Sequence, residues 1–167
     1  METFRLMKHG HRPSRVAAFV AESVNVLQLQ TATDALARHN RRAVLVSGQQ
    51  SLLRGKNGTA EINFAVAETV TDLDESGYDA LVLLEDAATQ PEHATALSKR
   101  FADKGKPVIA LRGSAGIVAA IAGAGSQSDA TSAALIDGHL YANDDDDSDW
   151  KIIDAVAGRM AREAMPA

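Results

Sequence analysis

Four short, continuous apolar runs constrain the fold of this chain more than any other feature. They are RVAAFVA at 15–21, AVLV at 43–46, ALVLL at 80–84 and VIAL at 108–111. Each run is shorter than a typical buried helix and lacks the apolar–polar alternation of a strand with one solvated face. Runs of this kind are typical of parallel strands that are buried on both faces.

Helical patterns separate these runs. We predict helices over Val26–His39, Pro91–Lys104 and 115–122, and a final helix that begins after a cap at Ser148 or Asp149. Strands that alternate with helices imply right-handed crossovers and helices on both faces of the sheet. The sequence therefore predicts an α/β fold built on a doubly wound parallel sheet.

Finer predictions concern helix faces and turns. The residues expected to face the core are Val26, Leu29, Thr33 and Leu36 in the first helix, and Trp150, Ile153, Val156 and Met160 in the last. Arg41 and Arg42 are expected at the basic end of the first helix, as its dipole favours. The residues from Glu22 to Asn25 are expected to form a polar turn. Hairpins are predicted about Lys56-Asn57-Gly58, on a sheet edge, and about Asp137-Gly138.

Length and hydropathy bound the organisation of the chain. With 167 residues, it can form one domain with a core of its own, which we place at 15–167 after a polar extension at 1–14. No apolar run is long enough to span a bilayer, and the first residues lack the layout of a signal peptide. We therefore expect a cytoplasmic protein that does not contact a membrane.

The charges are unevenly placed but do not indicate nucleic acid or a metal. The net charge is −5, with 9 Lys and Arg against 3 Asp and Glu in residues 1–60 and the acidic excess in the remainder. The cations are scattered and few aromatic residues lie among them, so nucleic-acid binding is disfavoured. The acidic run at 144–147 lacks the Gly and Glu of a calcium loop. His9 and His11 have no evident third ligand. We expect no metal and no cofactor.

Polar residues follow the predicted strands where ligands of doubly wound sheets bind, at the carboxyl ends. The candidates are Glu22, Asn25, Glu85, Asp86, Arg112 and Ser114. In one interpretation, Arg112 pairs with two or three of the carboxylates and closes the cleft. In the other, Arg112 and the helix N-terminus after it attract a small anionic or polar ligand.

Ser114 is not predicted to be a nucleophile. The nucleophile elbow requires G-x-S-x-G, whereas the sequence here is RGSAG at 112–116. A Ser-His-Asp set also needs a nearby histidine. The spacing of the histidines places none there; they are His9, His11, His39, His93 and His139. We interpret Ser114 as a helix cap, and we assign no catalytic residue.

Several segments resemble the superfamily of PfpI intracellular protease and the parkinsonism-associated deglycase, which is class I glutamine amidotransferase-like. They are residues 15–47, YDALVLL at 78–84, FADKGKPVIAL at 101–111 and LIDGH at 135–139. The resemblance covers most of residues 15–163. It implies a flavodoxin-like fold and a homodimer.

The chain departs from the active members of that superfamily at three places. Their acidic residue after the first strand falls on or near Asn25, with Glu22 the nearest carboxylate. Glu85 and Asp86 replace part of a Pro-Gly-Gly, and Arg112-Gly113 replaces a Cys-His pair. The chain has no cysteine at all, and a guanidinium cannot act as a nucleophile. The sequence therefore excludes cysteine-dependent protease or deglycase chemistry.

The ending of the chain is also similar to the C-terminal domain of large-subunit catalases, which belongs to this superfamily and lacks the cysteine. The chain is then a stand-alone relative of that domain or an excised copy of it. This favours a non-catalytic domain that acts by association: self-assembly, docking on a partner enzyme such as a catalase, or stress-related holding of other proteins. The alternative is a small-molecule binding module or a repurposed hydrolase that uses the Arg112 pocket.

Overall fold

The structure, a computed structural model, describes residues 14–48, 52–57, 60–122, 134–137, 140–142 and 149–164. Its strands are β1 (Ser14–Val20), β2 (Ser23–Asn25), β3 (Arg41–Ser47), β4 (Leu52–Asn57), β5 (Ala60–Ala65), β6 (Glu68–Thr69), β7 (Ala80–Leu83), β8 (Val108–Ala110), β9 (Ala134–Asp137) and β10 (Leu140–Ala142). Its helices are α1 (Val26–Ala37), α2 (Pro91–Asp103), α3 (Ala115–Ala122) and α4 (Asp149–Ala164). Short 3-10 turns span Glu75–Gly77 and Glu85–Thr89.

The central sheet confirms the predicted fold class. It has seven strands in the order β6-β3-β1-β7-β8-β10-β9, and every pairing except β10 with β9 is parallel. The four apolar runs form β1, β3, β7 and β8, as predicted. From β1 the chain winds first to β3 on one side and later to β7 on the other. The strand order therefore reverses between β1 and β7, where a ligand crevice is expected in such sheets.

The core lies on both faces of this sheet, and successive residues of β1 alternate between the two sides. Ala17 and Phe19 pack into one cluster, which α2 and α3 cover with residues such as Leu97. Val16 and its alternate neighbours pack into the other cluster, which α1 and α4 cover with residues such as Ile153. Burial on both faces explains why each central strand is a continuous apolar run.

A second sheet of three strands lies beside the strand ends. In it, β2 pairs in parallel with β4, and β4 pairs antiparallel with β5. The predicted hairpin over this segment is confirmed, although the turn at 58–59 lies outside the described residues. The prediction of a polar turn throughout Glu22 to Asn25 was wrong, because Ser23–Asn25 is a short strand whose partner lies about thirty residues further along the chain. The hairpin at β9 and β10 is also confirmed.

The predicted buried face of α1 was only partly right, since Leu36 lies in the core and Leu29 packs against it. Thr33 is exposed and Val26 and Leu29 are only half-buried, whereas the buried residues are Gln28, Ala32, Ala35 and Leu36. Small alanines let the helix approach the sheet closely, and the polar Gln28 has partners there that the sequence did not reveal. Arg41 and Arg42 begin β3 instead of ending the helix, because Asn40 takes a positive φ of 56° and turns the chain.

The predicted core position of Trp150 was also wrong. Its side chain is 43% exposed, and the guanidinium of Arg38 lies 5.8 Å from the ring centroid. Ile152 takes its place in the core, beside the correctly predicted Ile153 and Val156. At the surface the indole makes cation–π contacts with Arg38 and Lys151.

The membrane and metal predictions are tested only in the described part of the chain. There, no helix has the length and apolar character needed to cross a bilayer. The acidic run at 144–147 and the histidines His9, His11 and His139 lie outside the described residues. Ser14, which we assigned to the extension, belongs to β1, and residues 1–13 lie outside the described residues.

Candidate functional site

Glu85 connects two of the polar residues that were predicted at the strand ends, Asn25 and Arg112. Its Oε1 accepts a hydrogen bond of 2.8 Å from Asn25 Nδ2, and its Oε2 lies 3.7 Å from Arg112 Nη2. The side chains of Arg112 and Glu85 are 40% and 37% exposed. An ion pair this open to water contributes little to stability. Three of the predicted residues, Asn25, Glu85 and Arg112, therefore meet in an arrangement that is partly open to water.

Asp86 holds the beginning of β2 instead of pairing with Arg112 in the predicted cluster. Its Oδ2 accepts hydrogen bonds from the backbone nitrogens of Glu22, at 2.6 Å, and Ser23, at 2.8 Å. The Glu22 side chain is exposed, so Glu22 contributes its backbone to the site. Two backbone donors on one ionised oxygen are charge-assisted bonds, and they fix the crossing between β1 and β2.

The centre of the network is Gln28, which sequence reasoning missed. Its buried side chain accepts a hydrogen bond of 2.7 Å from the backbone nitrogen of Glu85. Its Nε2 donates to the backbone oxygen of Arg112, at 3.2 Å, and to Asp149 Oδ2, at 3.0 Å. One amide therefore links the ends of three elements. The sequence did contain one signal for Gln28. It is the third residue of α1 after the N-cap Asn25, and a Gln at that position commonly hydrogen-bonds the start of a helix.

Asp149 provides the second buried partner. Its side chain is only 8% exposed, and its Oδ1 accepts a hydrogen bond of 3.0 Å from the backbone nitrogen of Arg112. As the first residue of α4, it also places a negative charge where the helix dipole favours one. The sequence indicated Asp149 as a cap but not as a residue of this site.

Ser114 is fully buried, and its hydroxyl donates to the backbone oxygen of Leu84. Its own backbone oxygen accepts from the nitrogen of Ile117, within the first turn of α3. The proton that a general base would have to remove is therefore already bonded to a carbonyl. Sequence spacing placed no histidine near this edge, but the structure brings His93 close to Gly48, just after β3.

The sharp turn between β8 and α3 has its positive φ, 97°, at Gly113. In strand-to-helix elbows of this kind, the strained residue presents the nucleophile. The sequence assigns Arg112 to the nucleophile position, whereas the strained conformation falls one residue later, on a residue without a side chain. A Cβ at Gly113 would lie 2.6 Å from the Cβ of Glu85, so the turn that carries Glu85 packs directly over this position.

Beside this network the structure has an open cleft of about 710 Å³. The small sheet and the turn after β7 form its walls. Its charged lining consists of Arg54, Glu61, Glu85 and Asp86. Among the described lining residues carboxylates outnumber cations, which disfavours an anionic ligand. Neither Arg112 nor Ser114 is among the described residues that line this cleft, so the interpretation of an anion pocket around Arg112 and the start of α3 stays a prediction.

The fold and the strand-end elbow together point to one family. A scan against protein families matches residues 14–155 to the DJ-1/PfpI family. The chain belongs to the DJ-1/PfpI family. No curated protein is similar enough in sequence to count as a relative.

Solved structures of DJ-1/PfpI proteins share the fold at low sequence identity. A ThiJ/PfpI domain protein from Brachyspira murdochii superposes with a TM-score of 0.74 at 13% identity, covering 90% of this chain and 99% of its own. An oxidised DJ-1 from Toxoplasma gondii gives 0.65 at 15% identity, with 90% and 97% covered. A two-domain protein from Anabaena variabilis, with DJ-1/ThiJ/PfpI-like and ferritin-like domains, gives 0.64 at 17%, with 92% and 50% covered.

The metal-ligating side chains that the structure describes are dispersed. Among the described residues, no group of three or more His, Asp or Glu side chains could hold a metal ion. The carboxylates Glu85 and Asp86 already accept hydrogen bonds from Asn25 and from backbone amides. The described residues of this site therefore offer hydrogen bonds and charges.

Proposed function

We propose that this DJ-1/PfpI protein acts by association and not by turnover. The observation that carries the proposal is that the polar groups at the strand ends form hydrogen bonds with one another. Gln28 bonds Glu85, Arg112 and Asp149, and the Ser114 hydroxyl bonds the Leu84 carbonyl. Catalytic groups need a polar atom left for the substrate. Here those atoms stabilise the fold.

The elbow supports the same proposal. The chain has no cysteine, and the strained position carries Gly113, which has no side chain to attack a substrate. Glu85 places a carboxylate next to this turn, where an oxyanion would be repelled. A repurposed hydrolase that uses Ser114 would first have to break the bond to Leu84. A serine-directed phosphonate that labels the wild type but not Ser114→Ala would support that hydrolase and contradict our proposal.

Association has three forms in this proposal: a homodimer, docking on a partner enzyme such as a catalase, and stress-related holding of other proteins in the cytoplasm. The two-domain Anabaena variabilis protein supports the second form in outline, because it joins a DJ-1-like domain to another domain. Leu27 supports a role in association for the exposed surface of α1. It lies in the first turn of α1 and is 74% exposed, so association would remove a large apolar side chain from water.

Sedimentation velocity and activity assays on the same preparation test the proposal. We expect assembly of the wild type and no hydrolysis of peptide or dicarbonyl substrates. Leu27→Asp should weaken self-assembly, whereas Gln30→Asp adds the same charge at another exposed position of α1 and should not. Arg112→Ala should change assembly, or stability by a small amount because its ion pair with Glu85 is open to water, without removing any activity. Turnover that survives purification and is lost in Arg112→Ala would overturn the proposal.

A second candidate function rests on the open cleft of about 710 Å³, which is large enough for a small metabolite. The excess of carboxylates favours a ligand with amine, hydroxyl or amide donors over a carboxylate ligand. Melting-temperature shifts across a panel of amines and sugars test it. Shifts that are reduced in Glu61→Gln, which removes a charge from the rim, would support a binding module, and a flat panel would contradict it.

A further inference from the structure

A second cleft, of about 410 Å³, lies at the opposite end of the sheet. Residues at or just before the first positions of β1, β3, β7 and β8 form one wall, and α4 forms the other. The described lining of the cleft includes the charged residues Arg41, Asp79, Lys106 and Arg159. We propose that this amino-end cleft binds the phosphate group of a small organic metabolite. This inference is independent of the proposed function.

The charge of the cleft supports an anionic ligand. Arg41, Lys106 and Arg159 line it, and the carboxylate of Asp79 opposes them. Among the described residues that line the cleft, three cations stand against one carboxylate, although the whole chain carries a net charge of −5. A concave site lined by one sign of charge concentrates the field on its ligand.

Arg41 is the most constrained of these cations. Its side chain is only 9% exposed, and its Nη1 donates to Asp79 Oδ2 at 3.2 Å. Its Nε is buried and has no hydrogen-bond partner among the described residues. Asp79 itself is about half exposed, so water weakens its compensation of the charge. A buried guanidinium that is incompletely paired gains from a second anionic partner.

The other donors surround the same space. Arg159 is exposed at the rim, and its Nη1 donates to the Tyr141 hydroxyl at 2.8 Å. That bond uses the hydroxyl as an acceptor and leaves its proton for an acceptor elsewhere. Lys106 donates to the backbone oxygens of Glu75 and Tyr78, which fixes the position of its ammonium group. Fixed donors on separate elements suit a tetrahedral phosphate, which presents oxygens in several directions.

Apolar residues of α4 extend the site beyond the charged end. Val156 is buried and Met160 is half-buried, and both line the cleft. They provide a surface for the organic part of a phosphate ester. A volume of about 410 Å³ lies within the range of small-molecule sites. The cleft therefore fits a small phosphate monoester better than inorganic phosphate alone.

Calorimetric titration of the full chain with inorganic phosphate and with phenyl phosphate tests the proposal, with sodium chloride at matched ionic strength as the reference. We expect both phosphates to bind, phenyl phosphate more tightly because its ring contacts Val156 and Met160. Arg159→Gln removes a charged donor from the rim and should weaken binding about tenfold. Lys99→Gln removes the same charge from an exposed position that does not line the cleft, and should leave binding unchanged.

Asp79→Asn should change the affinity for phosphate in the opposite direction to Arg159→Gln. It removes the opposing carboxylate but keeps the shape of the side chain, so phosphate should bind several-fold more tightly. A variant that only damaged the fold would weaken binding instead. The proposal is overturned if neither phosphate binds beyond the chloride reference, or if Arg159→Gln and Lys99→Gln behave alike.

Discussion

The backbone of Glu85 packs so closely over Gly113 that a Cβ at Gly113 would lie 2.6 Å from the Cβ and 3.1 Å from the Cα of Glu85. This contact joins the turn after β7 to the elbow between β8 and α3. Gly113 also has a φ of 97°, in the left-handed region that favours glycine. Two independent constraints, space and backbone conformation, therefore require glycine at the elbow.

Gly113→Ala should destabilise the protein by roughly 2–4 kcal/mol, because the new methyl group meets backbone and the φ is strained. Gly116→Ala is the matched control. A Cβ at Gly116 meets nothing within 4 Å, and the residue lies in α3, where alanine is favoured over glycine by up to about 1 kcal/mol. Urea unfolding measures both variants. Equal stability of the two would show that the Glu85 contact is not a real constraint.

Gln28→Met should destabilise the protein by roughly 2–4 kcal/mol. Methionine fills a similar volume but leaves the buried carboxylate of Asp149 and the backbone nitrogen of Glu85 without the bonds that Gln28 provides. Gln30→Met makes the same change on the exposed face of α1 and should shift stability by no more than about 0.5 kcal/mol. Urea unfolding measures the stability of both variants. Similar losses of stability in the two would contradict a central role for Gln28.

The sheet could be predicted from sequence because burial on both faces leaves a direct signature. Each of the strands β1 and β7 is apolar at every central position, since residues such as Phe19 and Val20 point to opposite faces and both faces are covered. The helices that separate the strands then fix the doubly wound topology. These rules depend on local pattern and on general chain geometry, and not on any particular partner.

The site could be predicted only in part, because its bonds join residues that are far apart in sequence. Glu85 and Arg112 were found at strand ends, where topology brings them together. Gln28 and Asp149 were not assigned to the site, since their bond spans 121 positions and the local context of each residue indicates only the start of a helix. The same limit explains why the buried face of α1 was predicted only in part: a polar residue at a core position is recognisable only once its partners are known.

Asp86→Ala should release the start of β2. It removes the oxygen that accepts from the backbone nitrogens of Glu22 and Ser23, so both amides should exchange with solvent about tenfold faster. Thr89→Ala is the control, because the Thr89 hydroxyl donates to the backbone oxygen of Asp86 on the same turn and does not touch either amide. Hydrogen exchange followed by NMR distinguishes them. Unchanged exchange in Asp86→Ala would mean that these bonds do not hold β2.

We expect the stability of the protein to depend on alkaline pH through Tyr78. Its ring is buried, and its hydroxyl donates to Glu68 Oε1 and accepts from Arg15 Nη2 at 3.2 Å. Burial, and then the bond and charge of Glu68, raise the pKa of Tyr78 well above its ordinary value of 10.0. The folded protein therefore keeps this tyrosine neutral at a pH where the unfolded chain ionises it.

The sign of the effect follows from that raised pKa. The stabilisation is complete below about pH 10 and is lost progressively above it, because the unfolded state alone releases the proton. At neutral pH, Tyr78→Phe should be about 1–2 kcal/mol less stable than the wild type, since it lacks the buried hydrogen bonds. That difference should shrink by up to about 1.4 kcal/mol for each pH unit above the ordinary tyrosine value. Urea unfolding at several alkaline pH values measures it, and a difference that stays constant would contradict a neutral, buried Tyr78.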